Sequence, residues 1–431
     1  MKLTLDVENT ITERDGKTHM DPFEPNNTLV MVGILTDQGQ CLTFPFDHVD
    51  HPNQDDHYER VQMLLDEATV LIMHNAAHDL LWLWESGFKY DGPVYDTMLA
   101  EYVLQRGIKT PLSLEACAER YDLDTKKQDT LKEYFKKGFS TRDIPYNELA
   151  EYCVADIEAT QQLAEKQMLR LNSKDDAGLM GTVDLTNQVA VCLARIYQRG
   201  FTVDMQALDS VRQEYEQERD ELQHDLQAHV RKLMGDTPIN LNSPEQLSWV
   251  VYSRKVTDKQ HWGNSIEPYM NDADFRSLMA GGTERLYKTK ATQCRECNGT
   301  GQVRKVRKDG TLYVKSNKCG SCGGNGYLLT NLGSVGGLRF KPPSAKWASA
   351  NGFSTSKQNL EVLEKAARVK GMTDAVDFLS KVRRLSAIDT YLSSFVDGIR
   401  TYTKQDGKLH VRLNQHIAAT GRLSSTNPNM Q

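Results

Sequence analysis

Two acids close to the N-terminus are the first residues of this sequence that could do chemistry. They lie in LTLDVENT, where apolar residues alternate as in a β-strand. Side chains two positions apart in a strand point to the same side, so Asp6 and Glu8 share one face. Asp156 and Glu158 have the same spacing later in the chain, and the spacing alone therefore does not identify a site.

Two further segments supply the elements that must bring other acids to this strand. TVLIMHNAAHDLLWLW predicts a buried strand followed by a helix, with Asn75 at the turn and Asp79 in the first helical turn. EYCVADIEATQQLAEK predicts a helix on which Tyr152 and Asp156 lie four residues apart and hence on one face. We expect four carboxylates to converge beside the tyrosine: Asp6, Glu8, Asp79 and Asp156.

Such a cluster needs cations, because close carboxylates repel one another and their pKa values rise. Two divalent ions held about 3.5–4 Å apart would balance this charge, activate a water for attack and stabilise the leaving oxygen. Oxygen ligands favour magnesium or manganese over zinc. The four acids therefore predict metal-dependent hydrolysis of a phosphodiester.

The order of these residues resembles the three motifs of DEDDy-type 3'-5' exonucleases: Asp6-x-Glu8, His74-Asn75-x3-Asp79 and Tyr152-x3-Asp156. YDTMLAEYVL (95–104) is similar to the strand and helix that follow the second motif in that family. The resemblance implies an α/β domain with an RNase H-like mixed sheet, in which the four acids bind two Mg2+ or Mn2+ ions. It implies that Tyr152 orients the attacking water, so that all five residues are catalytic. His78 stands where the family often has Phe, which leaves the ligands intact and the local packing open.

Four of the eight cysteines form two CxxC pairs separated by 21 residues, a spacing typical of a zinc site with four thiolates: Cys294, Cys297, Cys319 and Cys322. Glycines follow both pairs at the same offsets and allow the positive φ angles that turn backbone N–H groups toward sulfur. The repeated CxxCxGxG resembles the knuckles in the zinc domain of J-protein chaperones. Four thiolates leave no open ligand position, which predicts one structural Zn2+ ion, with paired disulfides as the alternative. The remaining cysteines are predicted to be buried, unreactive thiols: Cys41, Cys117, Cys153 and Cys192.

Charge divides the sequence into an acidic first part and a basic remainder. Residues 1–180 contain 17 Lys and Arg against 33 Asp and Glu, although the formal charge of the whole chain is only -6. Residues 284–346 contain 13 basic and 3 acidic residues. Between the cysteine pairs, VRKVRKDGTLYVK predicts a β-hairpin around a Lys-Asp-Gly turn. The segment is either a surface that meets phosphates or a solvated insertion, and composition alone does not decide between them.

Four segments of the second half resemble, in order, the linker, the thumb and the start of the polymerase module of family A DNA polymerases: DLTNQVAVCLARIYQRGFTVD (184–204), INLNSPEQL (239–247), GFSTSKQNLEVL (352–363) and DGKLHVRLNQHIAATGRLSSTNPNMQ (406–431). In that family TGRLSS opens the polymerase module, and Arg422 would correspond to the arginine that reaches the minor groove of the primer-template. Compact donors and acceptors suited to phosphates and base edges surround it. The predicted DNA contacts are Asn75, Arg412, Asn414, Arg422, Ser424, Ser425 and Asn427.

Helical periodicity predicts a thumb built mostly from helices. One long helix is expected from about Met205 to Met234, with further helices near 356–370 and 373–402. The apolar stripe of the long helix is interpreted as core: Met205, Leu208, Val211, Tyr215, Leu222 and Leu226. The predicted domains are an exonuclease over 1–180, a helical thumb over 181–405 with a zinc-ribbon-like β-hairpin inserted within 284–346, and the start of a palm over 406–431.

The resemblance implies a proofreading 3'-5' exodeoxyribonuclease with a DNA-binding thumb, most similar to phage polymerases and located in the cytoplasm of a bacterial host if phage-encoded. TGRLSSTNPNMQ (420–431) precedes the palm motifs and the dNTP-binding finger helix, so the 431 residues alone are not expected to polymerise DNA. A second polypeptide with palm and fingers would complete a split polymerase, or the chain is truncated. A processivity factor is a further candidate partner. No stretch approaches the roughly 18 apolar residues of a membrane span, and no signal peptide is predicted.

Two other functions remain open. A free-standing DEDDy exonuclease acting on RNA or DNA would use the thumb only as a binding platform. A non-catalytic DNA-binding polymerase subunit would have lost a metal ligand, whereas all four carboxylates are present in this chain.

Overall fold

Two units, each with its own hydrophobic core, divide the chain in the computed structural model. The first comprises Met1–Leu208 with Ser394–Gln431, and the second comprises Asp209–Ser393. The structure describes residues 1–14, 17–51, 56–123, 129–253, 287–304, 306–308, 310, 312, 314–349 and 352–430. The functional domain boundaries expected at residues 180 and 405 stay predictions.

A five-stranded mixed sheet lies in the first unit and consists of β1 (Lys2–Asn9), β4 (Leu29–Thr36), β5 (Cys41–Pro45), β6 (Val70–Met73) and β7 (Val94–Asp96). The strand order is β5-β4-β1-β6-β7. β1 pairs antiparallel with β4 and parallel with β6, while β4 and β5 are antiparallel and β6 and β7 parallel. The predicted α/β architecture is therefore observed, and β1 lies at the centre of the sheet.

Seven helices are described in this unit before residue 200: α1 (His57–Glu67), α2 (Ala76–Glu85), α3 (Thr97–Leu104), α4 (Leu114–Arg120), α5 (Asp129–Lys136), α6 (Tyr146–Leu171) and α7 (Met180–Arg199). Short 3-10 helices cover Thr141–Asp143 and Ala177–Leu179. The odd-numbered apolar residues of β1 are buried in one cluster with residues of α2 and α7. On the opposite face, the Thr4 hydroxyl donates a hydrogen bond of 2.6 Å to Gln161 on α6. The acids of β1 therefore face α6.

Short strands and the last residues of the chain complete the first unit. They are β2 (Thr12–Arg14) with β3 (Lys17–His19), β8 (Phe201–Thr202) with β15 (Lys408–Leu409), β16 (Arg412–Asn414) with β17 (Ser424–Thr426), and helix α12 (Asp397–Tyr402). The Lys404 ammonium lies 3.1 Å from the Asp21 carboxylate and 3.0 Å from that of Glu24, and all three side chains are largely buried. This ion-pair group ties the C-terminal segment to the N-terminal part of the same unit.

Helices dominate the second unit: most of α8 (Met205–Met234), α9 (Pro244–Tyr252), α10 (Lys357–Val369) and α11 (Thr373–Thr390). The prediction of one long helix is confirmed, since α8 spans the expected residues. The helix expected over 373–402 is α11 followed directly by a π-helical segment, Tyr391–Val396, and then by α12. The strands are β9 (Tyr287–Gln293), β10 (Gln302–Val303), β11 (Asn317–Lys318), β12 (Tyr327–Val335), β13 (Ala348–Ser349) and β14 (Gly352–Phe353), with a 3-10 helix at Ala345–Trp347.

The core of the second unit gathers around the C-terminal part of α8. Leu226, Val230 and Met234 are buried there against residues of α9, α10 and α11. The interpretation of the whole apolar stripe as core is wrong toward the N-terminus of the helix, where Val211 is 40% exposed. The reason is that the hydrophobic cluster begins only at Leu222, so the earlier turns have less apolar surface to pack against.

The expectation that the isolated cysteines are buried holds for Cys117 and Cys153. It is wrong for Cys41, which is only partly buried, and for Cys192, which is exposed. Cys192 is exposed because it falls off the buried stripe of α7, which runs through Asn187, Ala190 and Leu193. Within the ranges that the structure describes, no helix combines the length and the apolar composition that crossing a bilayer requires.

Candidate functional site

Asp6 and Glu8 lie side by side on the face of β1 that is turned toward α6. A carboxylate oxygen of each lies within 4.8 Å of the other and of the Cys153 Sγ atom. The strand neighbour of Asp6 is Gly33 on β4, and a Cβ atom at that position would collide with the Cys153 sulfur. Cys153 was expected to be buried and inert, and it is buried, but it also lines the acid cluster. Its spacing of three residues from Asp156 on a helix was the signal for this placement.

Asp79 reaches the same cluster from the first turn of α2. Its side chain is 2% exposed, and its Oδ2 atom has no hydrogen-bond partner among the described residues. Burial raises the pKa of Asp79 well above its ordinary value, and the charges of Asp6, Asp96 and Glu8 raise it further. A buried carboxylate oxygen with no donor is the feature expected where a cation completes the contacts.

The turn that positions Asp79 is held by a residue that was not predicted. Asp96, at the end of β7, accepts hydrogen bonds from the backbone N–H groups of Asn75 (3.1 Å) and Ala76 (2.9 Å). It also caps α3 by accepting from the N–H groups of Met98 (2.9 Å) and Leu99 (3.2 Å). These bonds fix Asn75 in the left-handed region, with φ of 70°. An Asp directly before an apolar helical segment is an N-cap signal, so the sequence indicates that Asp96 caps α3. It does not indicate that Asp96 also binds the turn after β6.

Two histidines pack the second motif against its surroundings. His74 lies between the Thr97 hydroxyl (2.8 Å) and the Leu112 carbonyl oxygen, to which its Nε2 atom donates over 2.9 Å. His78 donates from Nε2 to the Asn9 side-chain oxygen over 2.9 Å. Burial lowers the pKa of each histidine to about 4, so both rings are neutral near pH 7. The departure from Phe at position 78 is thus accommodated by a hydrogen bond to the end of β1.

Tyr152 and Asp156 lie one turn apart on α6. Burial raises the pKa of Asp156 to about 6, and the nearby Tyr152 hydroxyl opposes this shift. Glu158, the second acid of the later D-x-E pair, is exposed. That pair therefore contributes one residue to the cluster.

The electrostatics of the cluster fit the binding of divalent cations. Burial raises the pKa of Asp6 to about 8, with a further contribution from Asp156, and that of Glu8 well above its ordinary value. Asp79 and Asp156 act on Asp6 and Glu8 through their charges, although their oxygens are not part of the 4.8 Å group. The four carboxylates destabilise one another's ionised forms. A hard cation such as Mg2+ favours oxygen ligands, and its positive charge would stabilise these carboxylates in the ionised form.

The residues predicted to contact DNA lie in several places within the first unit. Arg412 and Asn414 on β16 line a cavity of about 200 Å³ together with Asn75 and His78. Arg422 is exposed. On β17 and just after it, the remaining candidates differ in exposure: Ser425 is 6% exposed and accepts from the Met430 N–H, Ser424 is partly buried, and Asn427 is exposed.

The four paired cysteines form a second, separate cluster in the second unit. All four are buried, and their sulfur atoms lie within 4.8 Å of one another. The Sγ atoms of Cys294 and Cys319 are 3.8 Å apart and those of Cys297 and Cys322 are 3.7 Å apart. Zinc–sulfur bonds of about 2.3 Å in a tetrahedron require sulfur separations near this length, whereas a disulfide bond is only about 2.05 Å long. The geometry fits a zinc ion.

The predicted role of the glycines in this cluster is confirmed. Gly301 donates its backbone N–H to the Cys297 sulfur over 3.3 Å, and Gly326 donates to Cys322 over 3.2 Å. Both glycines have positive φ, 72° and 79°. Burial opposes ionisation of Cys297, but the bonds from Gly301 and neighbouring thiols outweigh it and lower its pKa to about 7. The predicted turn of the intervening hairpin includes Asp309, which lies outside the described residues.

Comparison with known proteins adds independent evidence. A family model for the 3'-5' exonuclease matches residues 19–172, and one for DNA polymerase family A matches residues 331–431. DNA polymerase I of Bacillus subtilis (strain 168) is 23% identical over 350 residues, which cover 81% of this chain and 28% of that protein. DNA polymerase I of Mycobacterium tuberculosis (strain ATCC 25618 / H37Rv) is 55% identical over 42 residues, covering 10% of this chain and 5% of that protein.

A solved structure has a similar fold. The POL domain of Pol1 from M. smegmatis, in complex with DNA primer-template and dNTP, matches with a TM-score of 0.57 at 16% identity. The match covers 99% of this chain and 51% of that one. The chain thus spans only part of the proteins it matches, and these matches support an N-terminal 3'-5' exonuclease plus thumb part of a family A DNA polymerase.

Proposed function

We propose that this chain removes nucleotides from the 3' end of DNA by hydrolysis, with two Mg2+ or Mn2+ ions, as the proofreading part of a polymerase. The observation that carries the proposal is the unpartnered Oδ2 atom of Asp79, buried among the carboxylates of β1 and α6. A purely structural acid at this depth would be expected to have hydrogen-bond partners at both carboxylate oxygens. An oxygen that binds a cation would explain why Oδ2 has none.

The position of each residue in the site suggests its role in the reaction. Asp6, Glu8, Asp79 and Asp156 would hold the cations, which supply Lewis-acid charge and a nucleophilic water when bound. Tyr152, which lies one turn before Asp156 on α6, would orient the attacking water beside it. Asp96 would hold the turn that carries Asn75 and Asp79. The neutral imidazole of His78 would add no positive charge to the cation site.

DNA is the proposed substrate because polar groups from both ends of the first unit share one cavity. Arg412 contributes a cation, and Asn75 and Asn414 contribute amides, next to the helix that bears Asp79. Arginine suits phosphate oxygens, and amides suit base edges and sugars.

The experiment is digestion of a 3'-labelled single strand by the purified chain, with Mg2+ supplied or omitted. Asp6→Ala with Glu8→Ala is expected to lower the rate by about 1,000-fold or more, because the loss of metal ligands removes several kcal/mol of transition-state stabilisation. Glu158→Ala removes an exposed acid of the same helix as Asp156 and is the matched control, with activity unchanged. Full activity of the double variant would contradict the assignment of Asp6 and Glu8 as metal ligands.

Tyr152→Phe is expected to slow turnover by about 10- to 100-fold while metal binding persists.

The same assay with an RNA strand separates DNA proofreading from general trimming. Preference for DNA supports the proposal, whereas equal rates on both favour a free-standing exonuclease. Primer extension is proposed to need palm and fingers residues beyond these 431, whether they continue the polypeptide or belong to another one. Extension of a primer by the 431-residue chain alone would contradict that part of the proposal.

The four-cysteine cluster is proposed to hold one structural Zn2+ ion. Its four sulfurs fill a tetrahedral set and leave no ligand position for substrate. Its role would be to hold β10 and β11 and the two glycine-rich turns, in a part of the chain whose apolar core is small.

A further inference from the structure

A buried thiol lies beside the two acids of β1. The Sγ atom of Cys153 and one carboxylate oxygen each of Asp6 and Glu8 all lie within 4.8 Å of one another. Ligand atoms of a tetrahedral zinc site, with bonds of about 2.0–2.3 Å, are about 3.3–3.8 Å apart. The three donor atoms are thus within about 1.5 Å of the separations that one bound ion requires. We call Asp6, Glu8 and Cys153 the acid-thiol group.

The sheet leaves a space for the sulfur at this place. Gly33 on β4 is the strand neighbour of Asp6, and a Cβ atom at position 33 would collide with the Cys153 sulfur. Any larger residue there would push the thiol away from the acid. Cys153 is fully buried, whereas Asp6 and Glu8 are only partly buried. The thiol is therefore held in place, and the two acids keep the group open to ions from the solvent.

A comparison with another buried cysteine of the same unit shows what is unusual about Cys153. The Cys117 thiol donates to the Leu112 carbonyl oxygen over 3.6 Å, and its sulfur accepts from Arg120 over 3.6 Å. Among the described residues, the Cys153 thiol makes no such bond. It packs against apolar side chains on one side and lies next to the two acids on the other. Its sulfur thus remains available as a ligand.

A second buried group at the same acids also lacks a partner. Asp79 is 2% exposed, and its Oδ2 atom has no hydrogen-bond partner among the described residues. Asp79 interacts through its charge with both Asp6 and Glu8. An open carboxylate oxygen and an open thiol therefore border one pair of acids. Two such groups are expected where cations complete the contacts, and a thiol that served packing alone would not account for the oxygen.

The type of ion decides whether the thiol contributes. Mg2+ prefers oxygen ligands and gains little from sulfur, whereas Zn2+ binds both carboxylate oxygen and thiolate sulfur. When zinc binds, it replaces the thiol proton, which passes to the solvent. Asp6 and Glu8 thus belong to two alternative donor sets. One contains only oxygens and includes Asp79 and Asp156, and the other is the acid-thiol group.

We propose that the acid-thiol group binds one thiophilic divalent cation such as Zn2+, and that this ion inhibits the exonuclease by displacing Mg2+ from Asp6 and Glu8. The inference rests on the proposed function, because inhibition requires Mg2+-dependent hydrolysis at these acids. Asp79 lies outside the group of atoms within 4.8 Å. An ion drawn toward the sulfur is therefore not placed to share Asp79 with a second ion, as hydrolysis by two metals requires.

Spectroscopy with Co2+ tests the thiol ligand without relying on activity. The chain is loaded with Zn2+ and dialysed against Mg2+, so that only the four-thiolate cluster keeps zinc, and Mg2+ is then removed. Zinc resists replacement by Co2+ in that cluster. Added Co2+ is expected to give a sulfur-to-cobalt charge-transfer absorption that saturates with one thiolate-bound ion per chain. Cys153→Ser, Cys153→Ala and Asp6→Ala/Glu8→Ala are each expected to lose it.

Inhibition by Zn2+ measures the competition between the two kinds of ion. Digestion of a 3'-labelled single strand is followed at saturating Mg2+, and each variant is compared with its own rate before zinc is added. Loss of an outer partner of a metal ligand costs about 10- to 100-fold in affinity. Loss of the thiol ligand itself is expected to raise the zinc concentration for half inhibition by about 100-fold or more in Cys153→Ser.

Two controls separate this effect from folding and from other thiols. Cys192→Ser removes an exposed thiol of the same unit and is expected to keep both the cobalt absorption and the zinc sensitivity of the parent chain. In the parent chain itself, excess Mg2+ is expected to reduce the cobalt absorption, because both ions need Asp6 and Glu8. That measurement does not depend on how well any variant folds.

A cobalt absorption that persists in Cys153→Ser, or that excess Mg2+ leaves unchanged in the parent chain, overturns the inference. Equal zinc sensitivity of the parent chain and both Cys153 variants overturns it as well and leaves Cys153 as a packing residue. Zinc that accelerates digestion contradicts the inhibition. Absence of Mg2+-dependent digestion by the parent chain contradicts the proposed function instead, and the cobalt absorption then still tests the thiol ligand.

Discussion

The Cys153 sulfur occupies the space beside Gly33 that a β carbon would need. Gly33 is the β4 neighbour of Asp6, and Cys153 follows Tyr152 on α6. The sheet and the helix that carry the acids thus approach each other at a glycine and a thiol. The closeness of this contact determines how far the carboxylates of β1 lie from that of Asp156.

Replacing Gly33 by alanine is expected to destabilise the chain by about 1–3 kcal/mol, because the new methyl group would force α6 away from the sheet. The free energy of unfolding in urea measures the loss. Cys153→Ala in the same chain removes the sulfur and is expected to restore part of the stability. Additive effects of the two substitutions would show that the contact is not the cause.

Asp96 is expected to act on activity through the second-motif turn. In Asp96→Asn the Oδ1 position still caps α3, but an amide group replaces the Oδ2 acceptor of the Ala76 N–H. The turn carrying Asp79 should shift, and the exonuclease rate should fall by about 10- to 100-fold. Ser356→Ala, which removes the cap of α10 in the other unit, should lower stability by about 1 kcal/mol and leave the rate unchanged. A rate loss that simply follows stability in both variants would argue against positioning.

Stability without divalent cations is expected to fall as the pH rises from about 4 to about 8. In the unfolded chain an Asp ionises near its ordinary value of 3.8, whereas burial keeps Asp6 protonated in the folded chain up to about 8. The folded state therefore holds more protons in this range, and each rise in pH favours unfolding. Urea titrations with Mg2+ omitted measure the effect, and added Mg2+ should reduce it.

Asp6→Asn/Glu8→Gln removes two of the responsible groups and is the control for that pH dependence. Its unfolding free energy should change less between pH 4 and 8 than that of the parent chain, since neutral amides need no ionisation. Parallel curves for the two proteins would show that other groups dominate the pH dependence.

Local sequence patterns predicted the features that depend on a single strand, helix or turn. Strand alternation placed Asp6 and Glu8 on one face of β1, and helical periodicity predicted α8 over its observed length. The glycine offsets predicted the N–H groups that approach the cysteine sulfurs, because positive φ depends on the residue type itself.

Features that depend on two distant elements were not predictable in the same way. The dual role of Asp96 needs β7 to end beside the turn after β6, and the place of Cys153 needs α6 to cross β4 at a glycine. The exposure of Val211 has a similar origin, since α8 extends past the core on which it packs. An apolar stripe indicates which face of a helix is suited to burial but not how much of it finds partners.

The four-cysteine cluster gives a prediction that separates zinc from disulfides. If the cluster holds zinc, the purified chain should contain one zinc ion and eight free thiols after unfolding without reductant, because none of its cysteines is bonded to another. Two disulfides would instead leave four thiols for alkylation and no zinc. Cys297→Ser should abolish zinc binding, since its thiol is the one whose pKa the Gly301 N–H helps to lower to about 7. Cys192→Ser, which alters an exposed thiol of the other unit, should keep the full zinc content.

Gly301→Ala tests the glycine-rich turn without changing a zinc ligand. The new methyl group would collide with the Gly324 carbonyl oxygen, so zinc should be released at a lower chelator concentration than from the parent chain. Equal zinc retention in Gly301→Ala would show that the backbone bonds to sulfur contribute little to holding the metal.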